Sequence, residues 1–274
     1  MSFSFEVFPP KTDQPLEPLL ETLDELCAFK PDFISCTYGA GGTNKGRNKE
    51  VCAAIADRAM TPMTHFTCIG NSKEDVERYI GEYVEMGMEN VLALRGDFPE
   101  GWSETHGDFH HADQLIGFIK EKYPELCIGA ACYPEKHIQA SSLEKDIAHL
   151  RSKQDNGAEF LMSQICHDVD AYQLFHDKLR KAGVKIPIIV GVMPVLFKDG
   201  LIRMTLSNGC SIPKELAEII GKYGDNPADF KKAGKEYTVN QIYKFINLGI
   251  DGIHIYSLNK YKDLADVIRA AGLR

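Results

Sequence analysis

The 274-residue chain reads as one α/β domain, a (β/α)8 TIM barrel. Eight short apolar, β-branched runs recur at intervals of mostly about 30 residues, with amphipathic helical stretches between them. Such alternation implies parallel pairing and right-handed crossovers, and eight such units suit a chain of this length. No Gly/Ser-rich linker, charge block or low-complexity tract divides the sequence, so residues 1–274 are expected to form a single domain.

The strands are expected at Phe3–Phe8, Phe33–Tyr38, Met63–Cys68, Asn90–Gly96, Cys127–Tyr133, Phe160–Ile165, Ile186–Met193 and Gly252–Ser257. Helical periodicity marks Glu17–Phe29, Lys49–Met60, Lys73–Met86, Asp113–Lys122, Leu143–Gln154, Ala171–Lys181, Pro213–Tyr223 and Gly234–Asn247, and Lys260–Ala270 closes the chain. The interval between the seventh and eighth strands is about twice the usual one and has room for an extra helical segment. A doubly wound open sheet is the alternative, but its dinucleotide form wants G-x-G-x-x-G after the first strand. Phe8-Pro9-Pro10-Lys11 stands there instead.

Composition is that of an ordinary water-soluble domain, 44% hydrophobic and 26% charged. The formal net charge of −8 argues against nucleic acid or an anionic membrane as the main partner, while leaving room for a local basic pocket. No run is long enough to span a membrane. Glu6 and Lys11 stand where a signal peptide would carry a basic and then an apolar region, so the expected location is the cytoplasm. The eight cysteines form no C-x-x-C pair, and several lie in apolar segments, which suits reduced buried thiols.

Glu6 sits inside the apolar strand Phe3-Ser4-Phe5-Glu6-Val7-Phe8, which Pro9-Pro10 ends at once. Burying an ionised carboxylate without partners is expensive, and burial raises its pKa toward the range of a proton donor near neutral pH. A structural ion pair is the competing reading. In a barrel of this type the active site is built at the C-terminal ends of the strands. Those ends are polar here: Glu6, Thr37 and Tyr38, His65 and Thr67, Arg95 and Asp97, Tyr133 with His137, Gln164 and Tyr256. Seven strands aiming functional side chains at one rim is more than a structural barrel needs.

Thr37-Tyr38-Gly39-Ala40-Gly41-Gly42-Thr43-Asn44 follows the second strand, and its glycines would let a ligand approach the backbone closely. It is not a P-loop, because Arg47-Asn48 replace the Lys and Ser/Thr. In Arg95-Gly96-Asp97 the Arg suits a phosphate or carboxylate, and Asp97 would be a second carboxylate at the mouth with Glu6. An Arg–Asp surface ion pair is the plainer reading. His106, His110 and His111 cluster with Asp108 and Asp113, but no metal-ligand spacing accompanies them; a solvated loop is expected and no metal.

Together, Phe5-Glu6-Val7-Phe8-Pro9-Pro10-Lys11, Thr37-Tyr38-Gly39-Ala40-Gly41-Gly42, His65-Phe66-Thr67-Cys68, Leu94-Arg95-Gly96-Asp97, Tyr133-Pro134-Glu135-Lys136-His137, Gln164 and His254-Ile255-Tyr256-Ser257-Leu258-Asn259 resemble the methylenetetrahydrofolate reductase family, over nearly the whole chain. The resemblance implies a single catalytic barrel holding FAD at its C-terminal face. It implies reduction of 5,10-methylenetetrahydrofolate to 5-methyltetrahydrofolate, feeding methionine synthesis. NADH or NADPH would reduce the flavin and leave, and the folate would take its place; no residue recognisably reads a 2′-phosphate.

Carried across, Glu6 would be the general acid that protonates the folate N10 and opens the five-membered ring, and Asp97 would stabilise the resulting iminium and orient the pterin. Thr37, Gln164 and Tyr256 would line the folate and nicotinamide site. The resemblance assigns FAD contacts to Tyr38, Ala40, His65, Arg95, Gly96 and Asp97. It continues them through Ala112, Tyr133, His137 and Ala140 to the helix residues Asp146, His149 and Lys153. Asp146 and Lys153 lie two turns apart on one face, where Lys153 would meet the diphosphate; a solvated charged face is the plain alternative.

The chain departs from the family at several positions. Ser152 stands where Arg is frequent, His111 where Tyr is, Cys166-His167 where an aromatic pair is, and Lys260 where Arg grips the folate tail. Phe197 is a candidate for the aromatic that stacks on the substrate. Regulation by S-adenosylmethionine through a C-terminal domain is not expected. The resemblance implies a homo-oligomer, since relatives are often dimers or tetramers, and leaves room for a partner subunit. The rival readings are another flavin-dependent barrel fed by a partner subunit, and a barrel that only binds a pterin.

Overall fold

A computed structural model describes residues 1–38 and 45–273, with only the backbone of Lys45 and Gly46. The expected Ala40 and the glycines around it lie outside the described residues. Eight parallel strands close into a barrel in chain order: β1 (Ser2–Val7), β2 (Phe33–Cys36), β3 (Pro62–Thr67), β4 (Asn90–Leu94), β5 (Cys127–Cys132), β6 (Phe160–Ser163), β7 (Ile188–Val192) and β8 (Gly252–Tyr256). The ring closes through β1 and β8, where Ser2 faces Gly252 and Glu6 faces Tyr256.

Side chains alternate across each strand, and that alternation separates two cores. Phe3, Phe5 and Val7 of β1 and Ile34 and Cys36 of β2 point outward, packing with Leu19, Leu23, Val51 and Ile55 of the helices. Phe33, Met63, Leu92, Phe160, Met162 and Ile189, early in their strands, fill the barrel interior. Ser4, Glu6, Ser35, His65 and His254 occupy the inward positions above that apolar floor.

The helices are α1 (Glu17–Cys27), α2 (Lys45–Ala56), α3 (Lys73–Glu85), α4 (Ala112–Lys122), α5 (Leu143–Asp155), α6 (Val169–Lys181), α7 (Lys198–Ser207), α8 (Lys214–Tyr223), α9 (Pro227–Asn247) and α10 (Tyr261–Ala270). The wide interval before β8 holds α7 and α8, and α9 begins seven residues before the expected Gly234. The Asn226 side chain accepts the N–H groups of Ala228 and Asp229, and Pro227 needs no partner at the first helical position. These helices build their own core from Ile165, Met193, Val195, Leu201, Leu216, Phe230 and Tyr237 beside the mouth.

All eight strands end one or two residues earlier than the apolar runs suggest. Phe8, Tyr38, Gly96, Tyr133 and Ser257 lie past the last ladder pair.

Candidate active site

Glu6 points into the barrel near the C-terminal end of β1, and its side chain keeps 20% of its surface. Its Oε2 lies 3.7 Å from His65 Nε2 and 4.0 Å from His254 Nε2, beyond hydrogen-bonding distance. Burial pushes the carboxyl up to about 8. Burial also holds His65 down to about 4 and His254 to about 3. Both imidazoles are therefore neutral near pH 7 and offer Glu6 no cation, so the acid keeps its proton.

The two histidines are tied together beneath it. Ser35 Oγ lies 3.2 Å from His65 Nε2 and 3.3 Å from His254 Nε2, and Ser4 Oγ lies 2.8 Å from His254 Nδ1 and 3.3 Å from the Ile253 carbonyl. One assignment of the hydrogens uses every donor. His65 Nε2–H donates to Ser35, Ser35 to His254 Nε2, His254 Nδ1–H to Ser4, and Ser4 to Ile253. The chain ends at a backbone carbonyl, with Phe33 stacked on His254 at 5.9 Å below. Ser4 and Ser35 had no assigned role in the sequence. Their signal was a hydroxyl at an inward position of an otherwise apolar strand.

Tyr256 crosses the mouth from β8 to β6, and its hydroxyl donates to the Ser163 carbonyl at 2.9 Å. It passes over Gly191 of β7. A Cβ on Gly191 would collide with the Ser163 carbonyl and lie 2.7 Å from Tyr256 Oη. Burial, then the nearby Glu6 charge, raises the phenol well above its ordinary range. Gln164 follows β6; its Nε2 donates to Asn208 Oδ1 at 3.0 Å and its Oε1 accepts the Ile165 N–H.

Thr37 is fixed by Asn48 of α2. Asn48 Nδ2 donates to the carbonyls of Cys36 and Thr37, both at 3.0 Å, while its Oδ1 accepts from Thr64 and Tyr83. The asparagine that spoils the P-loop pattern thus locks the end of β2. Nothing in its sequence context marks that role.

A second cluster occupies the rim over β2 to β5. Tyr38 and Ala112 are buried, while Arg95, Tyr133, His137 and Ala140 are partly so. Arg95 donates through Nε to the Gly96 carbonyl and through one terminal nitrogen to Gln139 Oε1 at 2.7 Å, with Phe98 under its guanidinium at 4.8 Å. Gly96 has φ 90°, and a Cβ there would lie 2.8 Å from Ile69 and 3.0 Å from Thr67. Asp97 is exposed and makes no ion pair with Arg95 among the described residues. Tyr133 packs edge-on against His137 at 4.5 Å, and burial, then the Asp97 charge, raises its hydroxyl to about 12.

On α5, Asp146 is only 6% exposed and accepts the His137 N–H at 2.8 Å, so the solvated-face alternative fails for it. Lys153 donates to the Ala131 carbonyl at 2.8 Å, and burial lowers its pKa. His149 is exposed and stacks on His111 at 6.0 Å. Ser152 donates to Asp113 at 2.7 Å. At the opposite rim, Phe197 lies under the ammonium groups of Lys260 at 3.8 Å and Lys231 at 5.0 Å. Cys166 and His167 are both buried. His167 has neither ring nitrogen hydrogen-bonded among the described residues, and its carbonyl accepts from Tyr237 and Gln241. Among the described residues no three His, Cys, Asp or Glu side chains converge as metal ligands.

The site is thus two neighbouring halves: a desolvated, proton-holding carboxyl on the strand beside Tyr256, and a rim of Arg, Lys, Tyr and His side chains. Comparison with known proteins agrees with the family resemblance. The family model for methylenetetrahydrofolate reductase matches residues 1–272. Methylenetetrahydrofolate reductase 1 of Schizosaccharomyces pombe is 33% identical over 278 residues, covering 100% of this chain and 46% of the yeast protein. The NADH-named enzyme 1 of Arabidopsis thaliana is 32% identical over 286 residues, covering 99% and 48%. The chain therefore spans about half the length of these relatives. The 5,10-methylenetetrahydrofolate reductase of Escherichia coli K12 is 30% identical over 276 residues, covering 100% of this chain and 92% of that one. A solved structure of a Clostridium thermocellum protein, described as binding two copies of 5-methyl-5,6,7,8-tetrahydrofolic acid, superposes with a TM-score of 0.69 at 15% identity. It covers 98% of this chain and 93% of that one, a likeness of fold. With a family match that runs from the first strand to the last helix, the chain belongs to the methylenetetrahydrofolate reductase family.

Proposed function

We propose that this barrel is a catalytic domain that reduces 5,10-methylenetetrahydrofolate to 5-methyltetrahydrofolate, with FAD as cofactor and NADH or NADPH as electron source. The observation that carries the proposal is the carboxyl of Glu6, held protonated in a desolvated pocket that still opens to the mouth. The donor set of the neighbouring rim suits FAD. The Lys153 ammonium has three N–H donors and gives one to Ala131, so two remain for a diphosphate. Tyr38, Tyr133 and His137 supply flat surfaces, and Gly96 leaves backbone where a side chain would crowd β3. When bound there, the flavin would supply the hydride chemistry.

The protein's own groups supply the acid and the electrostatics. Glu6 gives its proton to the folate N10, the bond from the methylene carbon to N10 breaks, and positive charge develops on that carbon and N5. Glu6 is then a carboxylate near the cation it has made. Asp97, exposed at the mouth, adds a second negative charge on the cofactor side. Tyr256, Gln164 and Thr37 are each held by a hydrogen bond to a neighbouring strand end, loop or helix, so they frame the ring without rearrangement. Lys260 and Phe197 offer a cation and an apolar face to the benzoyl-glutamate end. In this reading the product feeds methyl groups toward methionine.

The test is an anaerobic visible spectrum of the FAD-loaded protein. NADH or NADPH bleaches the flavin band, and methylenetetrahydrofolate, added after the excess is removed, restores it. Glu6→Gln keeps the first step and loses the second. Normal folate turnover in that variant removes Glu6 from the acid role, and flavin that neither nicotinamide bleaches points to a different electron donor.

A further inference from the structure

The β1–β8 ladder ends at the Glu6–Tyr256 pair. Beyond it side chains take over from the backbone after one last main-chain bond. The Ser257 N–H donates to the Glu6 carbonyl at 3.2 Å, and Ser257 Oγ donates to the same oxygen at 2.5 Å. Asn259 then engages both polar groups of Phe8. Its Nδ2 donates to the Phe8 carbonyl at 2.9 Å, and its Oδ1 accepts the Phe8 N–H at 3.3 Å. One amide thus makes the pair of bonds that a strand residue would make. Pro9 and Pro10 have no N–H, so Phe8 is the last residue of this segment that can be tied at both groups.

The clasp depends on an unusual backbone. Leu258 and Asn259 are both left-handed, with φ of 51° and 52°. Asparagine tolerates that conformation; leucine adopts it only where its surroundings impose it. The Asn259 N–H donates to Ser257 Oγ at 3.1 Å and the Lys260 N–H to the Ser257 carbonyl at 2.9 Å, closing the turn. Phe8 is 42% exposed, so packing alone does not anchor this end of β1. The Glu6 carboxyl makes no hydrogen bond among the described residues, so its position is set by the strand that carries it. Val7 and Thr37 tie that strand to β2, and the clasp ties it on the β8 side.

We infer that Asn259 is a positioning residue, which holds the end of β1 so that the Glu6 carboxyl reaches the reacting nitrogen. This rests on the reading of Glu6 as the acid. The test compares the wild type with Asn259→Gly and Asn259→Asp as holoenzymes. Glycine accepts the left-handed backbone and removes only the amide; aspartate keeps the acceptor and loses the donor. Three quantities are read: the nicotinamide step, the folate step against pH, and the Glu6 titration by 13C-NMR, assigned with Glu6→Gln.

In Asn259→Gly the folate step falls by about tenfold or more, its pH profile and the Glu6 titration shift together, and the nicotinamide step stays within about twofold. Asn259→Asp falls between this variant and the wild type. The inference is overturned if Asn259→Gly has the folate rate, the pH profile and the Glu6 titration of the wild type. It is also overturned if both half-reactions fall together with the melting temperature, which marks a structural role. If the wild type reduces no folate while the Glu6 titration still shifts in Asn259→Gly, the functional reading fails and the positioning survives.

Discussion

Glu6 illustrates how much one carboxyl depends on what lies under it. Its own strand shows that it is buried, but His65, His254 and Ser35 decide that it meets no cation. The folded-state value of about 8 stands above the ordinary 4.5. The folded chain therefore holds a proton that the unfolded chain has lost between those values, and stability falls as pH rises through that window. By linkage the loss is at most about 5 kcal/mol above pH 8. Glu6→Gln has no charge to bury, so it melts at a higher temperature than the wild type at pH 9, and the gap closes near pH 5. Thermal melts at both pH values check this, and equal gaps at both would place the ionised carboxyl in a better-solvated pocket. His65 and His254 act at the other end of the scale. Their folded values lie below 6.5, so the unfolded chain binds protons first as pH falls from 6.5, and the wild type loses stability there. In the sequence, Glu6 and His65 stood out as polar residues among Phe and Thr. Ser4 and Ser35 did not, because an inward serine looks the same whether it bonds a histidine or its own backbone.

Among the elements, β7 shows why an apolar run can hide a functional constraint. Ile188–Val192 reads as an ordinary buried strand, yet Gly191 is the notch over which Tyr256 reaches Ser163. Gly191→Ala overpacks this notch. It costs about 1–3 kcal/mol of stability and displaces Tyr256, so the folate step slows more than flavin reduction. Denaturant melts and the two half-reactions measured separately test this; a fully active, stable variant would show that Tyr256 does not need the crossing. Helix α5 tells the opposite story. Its charged residues read as a solvated face, whereas Asp146 turns inward to cap the loop at His137 and Lys153 bonds back to β5. Helical spacing placed the two on one side, but only the loop after β5 shows what that side meets. Asn226-Pro227 is a helix-start signal for α9, but Gly234 interrupts the periodic pattern that follows it.

For the molecule as a whole, the fold has three apolar cores and eight free thiols. Burial raises the thiols at Cys68, Cys132 and Cys210 to about 12. Thiolates react and thiols do not. Native protein is therefore modified slowly by a thiol reagent at pH 8, and the rate rises sharply through the denaturant range where the fold melts. Rapid modification of several thiols in the native protein would show that the helical shell opens locally.

The alternation of apolar runs and amphipathic helices by itself determined the barrel, because eight parallel pairings and their crossovers leave few other closures. It also put most of the candidate site residues at one rim, since these sit at or just past the C-terminal ends of their strands. What the tertiary structure decided is which of those residues meet. Strands far apart in the chain, β1, β2, β3 and β8, bring Ser4, Glu6, Ser35, His65 and His254 within bonding or near-bonding range. Proton affinity depends on that company, on local charge and on access to water. None of these is a property of the sequence around a single residue.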